Sequence, residues 1–152
     1  MQVKPITELS VDVRALIQQS RDYQAEIYPA ESINQDDPEY LVGGGMYFIG
    51  VYDDDGLLGI GGVKIMHDDG NYGEIKNLFV DPEARGRGVS KIIMQALEDY
   101  LIKEDMTLCR LETGVSQPES ISLYQKLGYQ DCGAYGDYAD DPLSVFMQKV
   151  IK

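Results

Sequence analysis

Few residues in this chain suit redox, metal or nucleic-acid chemistry. It has two cysteines, Cys109 and Cys132, and one histidine, His67. There is no CxxC pair and no histidine near either cysteine, so neither a metal site nor a dithiol centre is expected. The two cysteines could pair, but they read more simply as reduced, buried thiols. Basic residues are scarce: 13 Lys and Arg face 26 Asp and Glu, for a formal net charge of -13. A nucleic-acid partner needs a basic face to neutralise phosphate, so none is expected. The surplus acid either steers a cationic substrate or only keeps the chain in solution. No run approaches the roughly 20 apolar residues of a membrane span, which argues against a membrane partner. The opening Met1-Gln2-Val3-Lys4-Pro5 lacks a charged-then-apolar export layout, so a cytoplasmic setting is expected.

What is present fits one globular domain over residues 1–152, with 43% apolar and 26% charged residues. Val3–Ile6 reads as a short strand. Thr7 or Ser10 can cap a helix reaching about Tyr28, with Val13, Leu16 and Ile17 on one face. Pro29–Tyr40 holds Asp36, Asp37, Pro38 and Glu39. It reads as an irregular acidic loop, either over a substrate site or as a solvated connection. Met46–Tyr52, Leu57–Met66 and Tyr72–Val80 read as an antiparallel meander, joined by turns at Asp53-Asp54-Asp55-Gly56 and His67-Asp68-Asp69-Gly70-Asn71. These aspartates lack the EF-hand spacing and distal glutamate, so they are turn formers. Val89, Ile92, Ile93, Ala96, Leu97, Tyr100 and Leu101 recur at helical spacing to about Glu104. Thr107–Leu111 follows as a strand, and Glu119–Leu127 as a helix stopped by Gly128. Tyr129–Ala134 and Ser144–Ile151 are the last strands, with an acidic loop at 136–142 between them. The order is β-α-βββ-α-β-α-ββ.

Chemistry concentrates where the third meander strand meets the long helix. Leu78-Phe79-Val80 runs into Asp81-Pro82, then Arg85-Gly86-Arg87-Gly88-Val89-Ser90-Lys91. Three of the 13 basic residues fall between positions 85 and 91. Gly86 and Gly88 clear side chains from the unpaired N–H groups of a helix N-terminus, and Arg85, Arg87 and Lys91 add full charges. The combination suits a pyrophosphate; the plain alternative is a tight turn with solvated basic residues. A dinucleotide fingerprint fits poorly, because Lys91 stands where the third glycine belongs and no βαβ unit opens there.

With those residues in view the chain resembles the GNAT superfamily of acyl-CoA-dependent N-acetyltransferases. Arg85-Gly86-Arg87-Gly88-Val89-Ser90 matches its [Q/R]xxGx[G/A] signature except at Ser90, which is also small. Leu123-Tyr124-Gln125-Lys126-Leu127-Gly128-Tyr129 is similar to its LYxxxGF segment, and the element order matches almost throughout. Gln117 stands where that family often has asparagine. The resemblance implies an α/β (α+β three-layer) GNAT fold: a mixed, mostly antiparallel sheet of about seven strands flanked by helices and splayed between the fourth and fifth. It also implies acetyl-CoA as co-substrate, with no metal. The cofactor would lie against Leu78, Phe79, Val80, Arg85, Gly86, Arg87, Gly88, Val89, Ser90, Gln117 and Tyr124, and a backbone N–H near Val80 would polarise the thioester carbonyl.

The implied activity is acetyl transfer to a primary amine by direct attack in a ternary complex. Tyr124 is the candidate general acid: a phenol can donate to a departing thiolate of ordinary pKa about 8.5. By residue type alone it reads as core, and the motif context reverses that. An ammonium must lose a proton before attack, at a cost on the order of 4 kcal/mol at pH 7. Glu74 is the candidate base, directly or through a water, unless it is an exposed strand residue facing Lys64 or Lys76. Glu112 and Asp137 are candidates for holding a substrate ammonium, with Tyr138 as an aromatic wall. His67 sits in a turn and reads as solvated. Two other readings remain: a CoA-binding sensor or interaction module without turnover, and a transferase for another acyl group or acceptor. The acceptor is open between a small-molecule and a peptide amine, the acid-rich segments favouring a cationic one. A homodimer is one option for assembly.

Overall fold

A computed structural model describes residues 1–33 and 35–151; Asn34, inside the expected 29–40 loop, and Lys152 lie outside it. The elements are β1 (Gln2–Pro5), α1 (Val11–Ile27), α2 (Pro38–Val42), β2 (Tyr47–Asp53), β3 (Gly56–Met66), β4 (Tyr72–Val80), α3 (Val89–Lys103), β5 (Leu108–Gly114), α4 (Pro118–Lys126), β6 (Gln130–Cys132) and β7 (Ser144–Val150). They build one sheet in the order β1-β2-β3-β4-β5-β7-β6. Every pairing is antiparallel except β4 with β5.

Local sequence explains most of these boundaries. Ser10 caps α1 by accepting from the Val13 N–H at 3.3 Å. The segment 38–42, expected to be irregular, contains a helical turn. Asp37 accepts from the Glu39 N–H and Pro38 occupies the first helical position, where its missing N–H costs nothing. β5 runs three residues past the expected Leu111, because its ladder with β7 continues to Gly114–Ser144. β6 is only three residues long, shorter than the expected Tyr129–Ala134.

The sheet separates two apolar layers. On one side α3 buries Val89, Ile93, Met94, Leu97 and Leu101 against Ile75, Leu111 and Met147. α3 lies close on the strands because Gly61 and Gly73 have no side chain; a Cβ at either would strike Ile93 or Leu101. On the other side Val13, Leu16 and Ile17 of α1 pack with Leu41, Phe48, Ile60 and Phe79. Each fully buried aliphatic side chain contributes about 1.5–3 kcal/mol to this arrangement.

Two irregularities shape the site. Between β3 and β4 the register slips so that Asn77 and Leu78 oppose Gly61, and Asn77 takes φ 58°. Asparagine tolerates that left-handed backbone better than most residues, and the bulge reverses which way later side chains point. Leu78 and Val80 therefore join the α3 side, while Phe79 joins the α1 side. The second irregularity is the parallel ladder itself. It joins only Gly73, Glu74 and Ile75 to Cys109, Arg110 and Leu111. Past that point the two strands part, giving the expected splay.

Candidate active site

Two cavities occupy the opening. The larger, about 510 Å³, runs along Leu78, Phe79 and Val80, past Arg85, Gly86, Gly88, Val89, Ser90 and Lys91, to Gln117 and Leu123. Its phosphate-sized end is made by backbone. Gly86 and Gly88 have φ near +80°, which L side chains rarely adopt, and Gly88 caps α3 without a side chain. The first-turn N–H groups of α3 are thus left for an outside acceptor, with the helix dipole behind them. Arg85 and Lys91 line this end. The donor set fits a pyrophosphate-bearing ligand with a long, mostly apolar arm.

Arg87 does not join them. Its guanidinium turns away to Asp53 at the end of β2, at 2.9 Å, and that contact holds the Asp53 carboxyl below its ordinary range. Of the three cations expected at the pyrophosphate, the structure brings two to the groove.

The smaller cavity, about 90 Å³, lies on the other side of the splay. Its walls include Tyr28 from the end of α1, Lys76 and Asn77 at the bulge, Glu112 and Thr113 of β5, Tyr124 of α4, and Tyr138 of the β6–β7 loop. Leu78, Gln117 and Ser120 line both cavities and mark where they meet. Tyr124 lies one helical turn beyond Ser120 on the same face of α4. Its ring is buried and packs edge-on to Tyr129 at 5.9 Å. Burial raises its phenol pKa above the ordinary value, with smaller contributions from Cys109 and Glu112. Tyr124 is thus both core and cavity wall. It lies at the smaller cavity, not along the larger groove.

Glu74 is not an exposed strand residue. It is buried beneath the β6–β7 loop, accepts from the Tyr135 hydroxyl at 2.8 Å, and has Lys76 Nζ at 3.7 Å. Lys76 also sits 3.1 Å from Asp36. Glu74 lines neither cavity, whereas Lys76, 3.7 Å from it, lines the smaller one. Glu112 lines the smaller cavity and accepts from Ser144 Oγ at 2.9 Å. Asp137 does not line it, whereas Tyr138, next in sequence, does. His67 is exposed in its turn, 2.7 Å from Asn71. Cys109 and Cys132 are both free thiols; Cys109 is buried, and burial pushes it up to about 12. Cys132 is only half-buried, contrary to the expectation that both are interior.

Tyr28 is a cavity-wall residue that the sequence reading missed. It entered only as a helix end, yet its hydroxyl accepts from the Ser116 N–H at 3.1 Å and donates to Gln117 Oε1 at 3.4 Å. Nothing local announces a contact spanning nearly 90 residues of chain. Among the described residues no group of three or more His, Cys, Asp or Glu converges on a metal-sized point. No helix among them is long and apolar enough to cross a membrane.

A sheet splayed beside a glycine-opened helix N-terminus points to an acyltransferase. The comparisons agree. Residues 12–129 match the Acetyltransferase (GNAT) family, and the chain belongs to it. It is 37% identical over 134 residues to an IAA acetyltransferase of Azospirillum brasilense, covering 88% of this chain and 87% of that one. It is 34% identical over 123 residues to the uncharacterized N-acetyltransferase YsnE of Bacillus subtilis, covering 80% of each. Among solved structures, a candidate acyl-CoA N-acyltransferase of Klebsiella pneumoniae superposes with TM-score 0.81 at 28% identity, covering 99% of this chain and 97% of that one. The PaiA N-acetyltransferase of Thermoplasma acidophilum, in complex with coenzyme A, has TM-score 0.73 at 20% identity over 99% of both chains, a likeness of fold.

Proposed function

We propose that the protein is a single-domain N-acetyltransferase that moves an acetyl group from acetyl-CoA to a primary amine by direct attack in a ternary complex, working in the cytoplasm. The observation that carries this reading is the meeting of two unlike cavities at Leu78, Gln117 and Ser120. One has cations and bare helix N–H groups; the other is small, polar and walled by tyrosine. Acetyl-CoA, when bound, supplies a thioester-activated acetyl group.

The chain's own groups supply the rest. The N–H groups of Val89, Ser90 and Lys91 and the Arg85 side chain hold the pyrophosphate. The β4 backbone from Leu78 to Val80, unpaired with β5 beyond Ile75, holds the arm and offers an N–H to the carbonyl oxygen. Tyr124, kept protonated by burial, donates to the leaving sulfur. Glu74 takes the acceptor's proton through water, and Glu112 holds the ammonium before it is lost. An acyl-cysteine route is disfavoured, because Cys109 is held as a thiol far from its reactive thiolate form. Calorimetric titration with acetyl-CoA tests the donor half, and free-thiol release with an amine panel tests the transfer. If acetyl-CoA does not bind, the reading is wrong. If it binds and no amine turns over, the protein is a CoA-binding module instead.

A further inference from the structure

The acceptor cavity carries more information than the family does. We propose that it is built for a slender primary alkylamine bearing no carboxylate, and that Tyr28 sets its width. The inference rests on the acetyl-transfer reading for its chemistry and on the cavity alone for its selectivity.

Charge argues against a zwitterion. Lys76 and Glu112 are the charged side chains on the cavity wall among the described residues. An amino acid's carboxylate would have to be met by Lys76. That ammonium already lies 3.1 Å from one carboxylate, Asp36, and 3.7 Å from another, Glu74. With Glu112, three carboxylates thus stand against Lys76 and against Lys64, whose charge acts on Asp36 and Glu74, so acid is in surplus. A substrate carboxylate would enter without a counter-charge and against like charge, which is costly in a partly dry site. An ammonium meets the reverse situation: the acid surplus around the wall attracts a cation.

Size argues for a thin acceptor. A cavity of about 90 Å³ is smaller than the roughly 150 Å³ cavity that takes up a benzene ring. It admits an unbranched alkyl chain end-on, not a ring or a folded backbone.

Tyr28 fixes that width because it cannot swing aside. Its hydroxyl is tied to the Ser116 N–H and to Gln117 Oε1. Its ring end lies where a side chain on Gly114 would project; a Cβ there would overlap the Tyr28 hydroxyl. Gly114 and Tyr28 are therefore a matched pair, glycine at the strand end allowing the tyrosine to cross the rim. Because Gln117 also lines the donor groove, the same tie holds the wall shared by both substrates.

The test uses binding, so it does not depend on turnover. The protein, alone and with CoA, is titrated with pentylamine, norleucine and cyclohexylmethylamine by calorimetry and thermal shift. Pentylamine should bind at least about tenfold tighter than norleucine, which adds only a carboxylate, and at least about tenfold tighter than cyclohexylmethylamine. Tyr28→Ala should bring the two amines within about threefold, and Gly114→Ala should move them in the same direction. Tyr28→Phe keeps the ring but cuts its ties to Ser116 and Gln117, and should lose part of the preference. Norleucine equal to pentylamine, no binding by either, or an unchanged preference in folded Tyr28→Ala would each overturn the proposal. The wild-type titrations decide the charge argument even where an alanine variant fails to fold. Failure of acetyl-CoA to bind, titrated separately, would sink the donor reading and leave these titrations standing.

Discussion

Replacing Tyr124 with phenylalanine removes one oxygen and little else. The ring would keep its place on α4 and its edge contact with Tyr129. Its hydroxyl has no hydrogen bond among the described residues, so the folded state loses no partner and stability should change by less than about 1 kcal/mol. General acids contribute about 10²–10⁴ in rate. Here the leaving group is a thiolate, already a fair one, so kcat should fall toward the lower bound, about 100-fold. The Michaelis constant for acetyl-CoA should stay within about threefold, since Tyr124 lines the acceptor cavity and not the pyrophosphate end. The pH profile is a second readout. Burial raises the Tyr124 pKa, so the hydroxyl stays protonated through the working range. Activity should rise with pH as the acceptor loses its proton, then level without a fall near pH 10. The Tyr124→Phe profile should have the same shape at lower height. Initial rates followed by a thiol reagent, beside thermal unfolding, make the measurement. A variant with wild-type kcat, or one whose loss tracks unfolding, refutes the acid role.

Other outcomes follow from the same geometry. Arg85→Ala should raise the acetyl-CoA Michaelis constant about tenfold, the loss of one charge-assisted phosphate contact, whereas Arg87→Ala, already spent on Asp53, should change it less than about threefold. Equal effects in steady-state kinetics would mean that Arg87 leaves Asp53 for the ligand. Tyr129→Phe should cost about 1–3 kcal/mol in urea unfolding with kcat retained, because Tyr129 donates to Glu98 at 2.8 Å in a buried network that includes Lys149. Loss of kcat without loss of stability would contradict it. Alkaline stability should decline above pH 10. Tyr124, Tyr129 and Tyr135 all have pKa values raised by burial, so the unfolded chain releases those protons first and folding loses ground as pH climbs. Each contributes about 1 kcal/mol of loss by pH 11, and urea midpoints that stay flat from pH 9 to 11 would refute it.

The parts of this fold that could be read from sequence are those whose cause is local. α3 announces itself by seven apolar residues at helical spacing and a glycine just before them. The meander follows from turn residues between strand-like runs, and the glycine-opened turn into α3 from glycines beside arginines. The short α2 also had local signals, Asp37 before Pro38, but only Leu41 of that turn is buried, too little pattern to outweigh an acidic, proline-bearing stretch. Cys132 was expected inside from residue type alone. A three-residue edge strand cannot cover it.

What sequence could not show are the pairings made across the chain, and these decide the chemistry. Strand alternation puts Glu74 and Lys76 on one face of β4 but does not say what covers that face. The cover is the β6–β7 loop, whose Tyr135 returns from 61 residues away to bond Glu74. That loop turns an apparent surface carboxylate into a buried one and leaves Glu112 on the cavity wall. Arg87 is drawn off by Asp53, 34 residues earlier, so a motif position that looks like a ligand contact is an ion pair instead. Tyr28 reaches the far rim of the splay for the same kind of reason. The donor side is therefore written in a short motif, because phosphate recognition by a helix N-terminus is local physics. The acceptor side is assembled from α1, β4, β5, α4 and the last loop. A family motif can thus name the donor and leave the acceptor open, while the charges and width of this cavity narrow it.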